Sequence, residues 1–381
     1  MLRSLVIDDN QQTEGLLRRG FEAIGANIED DFVFADCDEA ALRIIGHDDN
    51  FDLAFVSIDS PKISGLELFR KIPDKQFRIP RIALTENRDI TVVRKAMNDG
   101  AADFLVKPFS FEDIAATMER VYRQVERRRR AWAQEAELSS IRREISIAAD
   151  IQQRILPKKF PDWPGLDIHA EVTPAKDMGG DFYDVFALPD DRVGFVIADV
   201  SGKSVPAAFY MAVARTLMRA NAPHFDDPAD CLAAVNLMLC RHDIPGVFVS
   251  VFYALYSPHT GEIRYANGGH PPPLLRAKDG TTVTVEGGQG TVLGVTDALP
   301  YESGAFTLAP GEMIYMCTDG VWEAFDNERN QFGLERLRQC LANGQETTAA
   351  DIARAVNSAL TDFIDGAPTH DDITSLIIRR S

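Results

Sequence analysis

Ala198-Asp199-Val200-Ser201-Gly202-Lys203-Ser204-Val205-Pro206-Ala207-Ala208 is the stretch on which the reading of this chain turns. The apolar run Val193–Ile197 before it predicts a buried strand, and a helical pattern follows Pro206 over 206–221. Asp199 therefore sits at a strand end. Three more acidic points share that setting: Gly179-Gly180-Asp181-Phe182-Tyr183-Asp184, Cys317-Thr318-Asp319-Gly320 after Met313–Met316, and His370-Asp371-Asp372-Ile373-Thr374 before Ser375–Ile378. The paired glycines allow tight backbone turns, so Asp181 can be presented from a loop. A single Asp at a strand end is ordinarily a turn residue. Four in one region would repel if they converged in a core, unless cations lay between them. Carboxylate ligation without His or Cys points to Mg²⁺ or Mn²⁺. Two such ions ~3.5–4 Å apart make a phosphoester-hydrolysis centre.

Outward from these motifs, strand-like runs at Phe248–Leu255, Glu262–Tyr265, Pro273–Leu275, Thr282–Val285 and Glu312–Met316 accompany helical stretches near 228–241, 334–342 and 349–363. Strands grouped with separate helices predict an α+β layered fold for residues 157–381. The N-terminal part reads differently. Short apolar runs at Leu5–Ile7, Phe32–Ala35, Leu53–Val56, Ile82–Leu84 and Phe104–Val106 alternate with amphipathic stretches. That alternation predicts a five-strand, doubly wound parallel α/β sheet over residues 1–122. Ligands of such sheets sit at the carboxyl ends of the strands. Those ends carry Asp8 and Asp9, Ser57, Thr85, and Lys107-Pro108, a pattern suited to Mg²⁺ and a phosphoryl group.

Between the two lies a helical linker, 123–156. Its apolar positions Leu138, Ile141, Ile145, Ala148 and Ile155 form a heptad-like seam with Gln152 at one seam position, and no proline interrupts it before Pro157. A lone helix of this kind is marginal in water. It packs on the downstream domain or pairs as a parallel coiled coil in a homodimer, and the two can coexist. Residues 1–120 hold 15 basic and 23 acidic side chains, 121–156 hold 8 and 5, and the rest hold 17 and 30. The run Arg127–Arg130 reads as a solvated face between acidic halves.

The net charge of −18 over 381 residues argues against a nucleic-acid partner. No apolar run reaches the ~18 residues of a membrane span, and Asp8 and Asp9 break the N-terminal one, so neither a membrane nor a signal peptide is expected. The five cysteines show no metal or disulfide spacing and read as buried thiols in a reducing cytoplasm.

Ile7-Asp8-Asp9, Thr85, Phe104 and Lys107-Pro108-Phe109, with Asp52–Val56 leading to Ser57 and Pro61, resemble a response-regulator receiver domain. The family carries its phosphoacceptor aspartate where this chain has Ser57. A serine hydroxyl is a weaker nucleophile, and one carboxylate fewer weakens a cation site. Three readings stay open: a degenerate receiver kept as a dimerisation or docking module, a partial takeover by Asp59 two residues on, or a different input.

Asp199–Ala208, Tyr265-Ala266-Asn267-Gly268-Gly269-His270-Pro271, Thr318-Asp319-Gly320-Val321-Trp322-Glu323-Ala324, the Asp181 and Asp371 motifs and the entry helix Glu144–Pro157 resemble the metal-dependent type-2C (PPM) protein phosphatases, in their SpoIIE-type branch. The resemblance implies a β-sandwich flanked by helices and a serine/threonine phosphatase acting through two Mn²⁺ or Mg²⁺ ions. It implies that Asp199 bridges both ions, that Asp181 and the Val200 carbonyl complete one site, and that Asp319 and Asp371 complete the other. Asp372 competes with Asp371 for that role, and Asp184 is a candidate contact to bound water. His270 is either a catalytic acid or a histidine that fixes its loop. Ser201 stands where the eukaryotic branch has a histidine. The implied substrate is a phosphorylated anti-anti-sigma (STAS-domain) protein in a partner-switching pathway. The alternative is a catalytically silent adaptor, against which the four retained acids count. The linker is expected to transmit control to the helix after Pro206.

Overall fold

Ser4-Leu5-Val6-Ile7 has every side chain buried, as a strand must when helices cover both faces of its sheet. The computed structural model describes residues 3–23, 32–47, 51–71, 79–241, 246–343 and 348–381. In the N-terminal region, strands β1 (Ser4–Ile7), β2 (Phe32–Ala35), β3 (Leu53–Ser57), β4 (Arg81–Thr85) and β5 (Asp103–Val106) alternate with helices α1 (Gln12–Ala23), α2 (Asp38–His47), α3 (Gly65–Lys71) and α4 (Ile90–Asn98). The sheet order is β2-β1-β3-β4-β5, parallel throughout. Its alternate residues feed two cores. Leu5, Ile7, Ala54 and Val56 enter one, and Val6, Leu53, Phe55 and Leu84 the other. Asp89 caps α4 by accepting from the Thr91 amide.

Helix α5 runs unbroken from Phe111 to Ile155. Contacts divide the chain within it, into Met1–Ser140 and Ile141–Ser381. The seam positions separate along it: Leu138 and Ile141 are exposed, Ile145, Ala148 and Ile155 half-buried, and Gln152 buried. The side chains of Arg128 and Arg129, within the arginine run, lie outside the described residues.

After α5 come β6 (Leu166–Thr173), β7 (Phe182–Ala187), β8 (Val193–Val200), α6 (Val205–Asn221), α7 (Pro228–Cys240), β9 (Val249–Ser257), β10 (Glu262–Gly268), β11 (Leu274–Arg276), β12 (Thr282–Thr284), β13 (Gln289–Gly290), β14 (Gly304–Thr307), β15 (Met313–Cys317), α8 (Gly333–Asn343), α9 (Ala349–Ile364) and β16 (Ile373–Arg380). One sheet is ordered β13-β10-β9-β8-β7 with β14 on β10, and the other β12-β11-β15-β16-β6. The second sheet is buried on both faces. Ile314, Met316, Leu376 and Ile378 join Phe195, Phe252 and Tyr256 in the core between the sheets. Met313, Tyr315, Cys317 and Ile377 face Leu337, Ile352 and Val356 of α8 and α9. Residues Met211, Ala214 and Met218 of α6, with Leu232, Val235 and Leu239 of α7, pack onto the first sheet. The layered expectation holds, with helices outside a sandwich. Strands β6, β7, β13 and β14 were not expected. Because β7 begins at Phe182, Asp184 lies inside a strand instead of on the Asp181 loop.

Candidate active site

The strand pairings dictate where the acids meet. Asp181 immediately precedes β7, and Asp199 lies near the end of β8, with Phe182 opposite Ala198. Asp319 follows β15 and Asp371-Asp372 precedes β16, with Cys317 opposite Ser375. The two sheets are stitched together at this end. Thr318 Oγ1 donates to Asp181 Oδ2 at 2.7 Å. Asp372 accepts from the amides of Ala175 (2.9 Å), Gly180 (2.7 Å) and Asp181 (3.4 Å).

Three glycines permit this approach. A Cβ on Gly179 would lie 2.1 Å from Asp372 Oδ2, one on Gly180 2.5 Å from the Val200 carbonyl oxygen, and one on Gly320 2.0 Å from the Asp372 carbonyl oxygen. Real Cβ contacts do not come so close, so the acid loops converge only with hydrogen at these positions.

The convergence is electrostatically unfavourable. Burial, then the charge of Asp319, pushes the Asp199 carboxyl up to about 6. Burial, then Asp199, raises Asp181 well above the ordinary carboxylate range. Asp319 is raised by burial and by Asp371. Glu323, in the turn after Asp319, is raised by burial and by Asp319 and Asp371. The compensating charge nearby is Lys203, whose Nζ stands 3.1 Å from Asp371 Oδ2 and also donates to the His370 carbonyl. Among the described residues, no three His, Cys, Asp or Glu side chains as placed could hold an ion. Asp371 is engaged by Lys203 and Asp372 by backbone amides. The donor set is nonetheless oxygen throughout, and the Val200 carbonyl lies against Gly180, beside Asp181. Such a set fits a hard divalent cation. A cavity lined by Glu323, Phe325, Pro368 and His370 opens beside Asp371.

The two aspartates of the final motif have separate environments. Asp372 is 8 % exposed and spends its carboxylate on the loop amides, whereas Asp371 is half exposed beside Asp319. Asp184 is elsewhere. Its carboxylate accepts from Arg215 at 2.8 Å and Arg219 at 3.1 Å, both on α6. His270 is 4 % exposed and its Nδ1 pairs with Ser250 Oγ at 2.9 Å. Burial holds its imidazole down to about 3, so it stays neutral. The Asn267 side chain clasps the His270 backbone amide (2.7 Å) and carbonyl (2.8 Å), which is a loop-fixing arrangement. Ser201 Oγ ties its loop to the Phe248 amide (2.8 Å) and the Gly246 carbonyl (3.2 Å). Thr318, Lys203 and the Arg215–Arg219 pair were not singled out from the sequence. The one signal was two arginines four apart on an otherwise apolar helix.

At the N-terminal sheet edge, Asp8 is fully buried and paired with Lys107 Nζ, and Asp9 is half-buried. Ser57 is 3 % exposed. The carboxylate of Asp59, from the loop after β3, accepts from Thr85 Oγ1 and from the amides of Glu86 (2.6 Å) and Asn87 (3.2 Å).

Comparison with known proteins agrees with both halves. Residues 189–381 match the family model described as Stage II sporulation protein E (SpoIIE), and residues 5–119 match the response regulator receiver domain. Phosphoserine phosphatase RsbU of Bacillus subtilis is 32% identical over 243 residues, which span 63% of this chain and 71% of that protein. Protein IcfG of Synechocystis is 29% identical over 277 residues, 65% of this chain and 43% of that protein. The solved structure of the SiaA-PP2C domain of Pseudomonas aeruginosa superposes with a TM-score of 0.58 at 22% identity, over 65% of this chain and 99% of that one, and so shares the fold. The chain belongs to the SpoIIE family of PPM serine/threonine protein phosphatases and carries a response-regulator receiver domain in its N-terminal part.

Proposed function

We propose that this protein hydrolyses phosphoserine or phosphothreonine on a protein substrate at the acid cluster, with two divalent cations, Mn²⁺ or Mg²⁺. The observation that carries the reading is the approach of Asp181, Asp199, Asp319 and Asp371 at one end of the sandwich, where burial and neighbouring carboxylates raise the first three. Asp199 would hold both ions, Asp181 and the Val200 carbonyl one of them, and Asp319 and Asp371 the other. When bound, such ions supply Lewis acidity and an activated water for in-line attack on phosphorus. The chain itself orients the ligands. Asp372 and Thr318 hold the Asp181 loop, and the bare Gly180 lets that loop pack against the Val200 carbonyl. Lys203 would give up Asp371 as an ion arrives and remain beside the site as a positive charge for phosphate oxygens. His270, neutral and enclosed, holds its loop and moves no proton.

The substrate reading is a phosphorylated anti-anti-sigma (STAS-domain) protein in a partner-switching pathway. The phosphoserine phosphatases RsbU and RsbP of Bacillus subtilis, 32% and 21% identical, support it. In this reading residues 1–122 are the regulatory receiver-like domain, 123–156 a linker that pairs in a homodimer, and 157–381 the catalytic domain. Exposed Leu138 and Ile141 on α5 support pairing there.

The test is Mn²⁺-dependent hydrolysis of p-nitrophenyl phosphate and of a phosphoserine-bearing STAS protein, by wild type and Asp199→Asn. Hydrolysis that needs metal and is lost with Asp199 is expected. Hydrolysis that survives Asp199→Asn, or none from the full chain or the 136–381 fragment, would overturn the reading.

A further inference from the structure

Gln152 is a polar side chain on a face of α5 that is otherwise turned inward by Ile145, Ala148, Ile155 and Leu156. It is 8 % exposed. Its amide is spent on one residue: Nε2 donates to the Gly179 carbonyl at 2.6 Å, and the Gly179 amide donates to Oε1 at 3.3 Å. This two-way pairing imitates a backbone bridge between a helix side chain and the loop that carries Asp181.

That loop cannot hold its own shape. Gly179 and Gly180 impose the weakest backbone restraint of any residues. Substituting either would drive a Cβ into Asp372 or into the Val200 carbonyl, so the sequence cannot stiffen the loop from within. Its backbone at 179–181 is held from outside at two points. Asp372 takes the Gly180 and Asp181 amides from the side of the second sheet, and Gln152 takes both polar groups of Gly179 from the side of α5. An apolar residue at 152 would pack in the same place and leave the Gly179 amide and carbonyl unpaired.

We propose that Gln152 is a positioning residue for the catalytic site. It is a hydrogen-bond clasp through which α5 sets the Gly179–Asp181 loop, and with it the affinity of Asp181 for its cation. The proposal rests on the two-cation reading above. It gives Gln152 a role other than that of a polar interruption in a coiled-coil seam. It also supplies a route by which displacement of α5 reaches a ligand without passing through α6.

The experiment uses the full chain with Gln152→Met, which keeps the volume and loses both hydrogen bonds, and Gln152→Glu, which keeps an acceptor for the Gly179 amide and loses the donor. Mn²⁺ binding is followed by calorimetry, and amide exchange across 177–183 is followed in metal-free protein. Gln152→Met is expected to weaken binding of one of the two ions about tenfold, the size of effect that outer partners of metal ligands produce. Exchange at 179–181 should quicken while β15 and α9 exchange as in wild type. Gln152→Glu should fall between wild type and Gln152→Met in both readouts, and it carries the test alone should Gln152→Met fail to fold. Unchanged affinity together with unchanged exchange at 179–181 would overturn the proposal. Wild type that binds no Mn²⁺ would instead defeat the two-cation reading, and the exchange arm would still decide whether Gln152 holds the loop.

Discussion

Two regions of this molecule gather carboxylates at strand ends, and they treat them in opposite ways. At the N-terminal edge the acids are satisfied by their own chain. Asp8 has Lys107, and Asp59 has the Thr85 hydroxyl and two amides. At the sandwich end burial and neighbouring carboxylates raise Asp181, Asp199 and Asp319, with Lys203 as partial relief. Acids that are already paired have little to gain from a cation, and acids that repel have much. The difference locates the chemistry in the second region. In the first region Ser57 brings no carboxylate, and Asp59 accepts from Thr85 and the amides after it.

The sharpest way to break this contrast is to relieve the repulsion. Asp199→Asn should lower turnover by at least about 10³-fold, since it removes a ligand of both proposed ions. It should also stabilise the metal-free protein. The Asp199 carboxyl titrates at about 6 when folded, above its ordinary 3.8, so the folded chain holds an extra proton between those values. Stability therefore falls as pH rises through that window, by about 3 kcal/mol from this group. Melting curves in a chelator from pH 4 to 7.5 measure it. The difference between variant and wild type should grow in favour of the variant up to about pH 6 and then level off. A difference independent of pH would mean that the acids do not repel.

A smaller effect separates the neighbours in the final motif. Asp371→Asn should reduce Mn²⁺-dependent turnover about 100-fold, as expected for a ligand. Asp372→Asn should cost less than about tenfold, because Asp372 is not a proposed ligand; asparagine keeps one oxygen to accept from either Ala175 or Gly180 and turns its NH2 on the other amide, so the loss should show mainly as a lower Tm. Steady-state rates with thermal melts decide it, and the reverse ranking would exchange their roles.

The smallest effects belong to the receiver domain. Beryllofluoride or acetyl phosphate should leave turnover within about twofold, because Ser57 offers no carboxylate and Thr85 is already engaged. Asp59→Ala should cost about 1 kcal/mol by urea unfolding through three partly exposed hydrogen bonds. Stimulation by either phosphodonor mimic that Ser57→Ala abolishes would make the two regions alike after all.

How much of this was legible in the sequence differs by element. Every N-terminal strand and helices α6 to α9 could be read from periodicity within a residue or two, because their apolar spacing is strong. Strand β6 was missed although Leu166, Ile168, Ala170 and Val172 alternate with Asp167, His169 and Glu171, the period of a half-buried edge strand. The four acid motifs were legible because each pairs a carboxylate with an apolar strand. Asp371 and Asp372 were not separable by spacing, since adjacent residues point in different directions and only their partners distinguish them. Asp184 was read with the acids because it is three residues from Asp181. The start of β7 at Phe182 carries it toward Arg215 and Arg219 instead.

The sequence by itself determined the two fold classes, the helical connection between them, the oxygen-only character of the acid set and the substitution of serine in the receiver. These are local properties, carried by residue type and period. Only the tertiary structure decided which acids face one another and which are spent elsewhere, that Asp59 satisfies Thr85, and that Gln152 clasps Gly179. The hydrogen bonds among them join residues 26 or more positions apart, and a bond of that kind depends on how the elements pair and pack, which no spacing along the chain encodes.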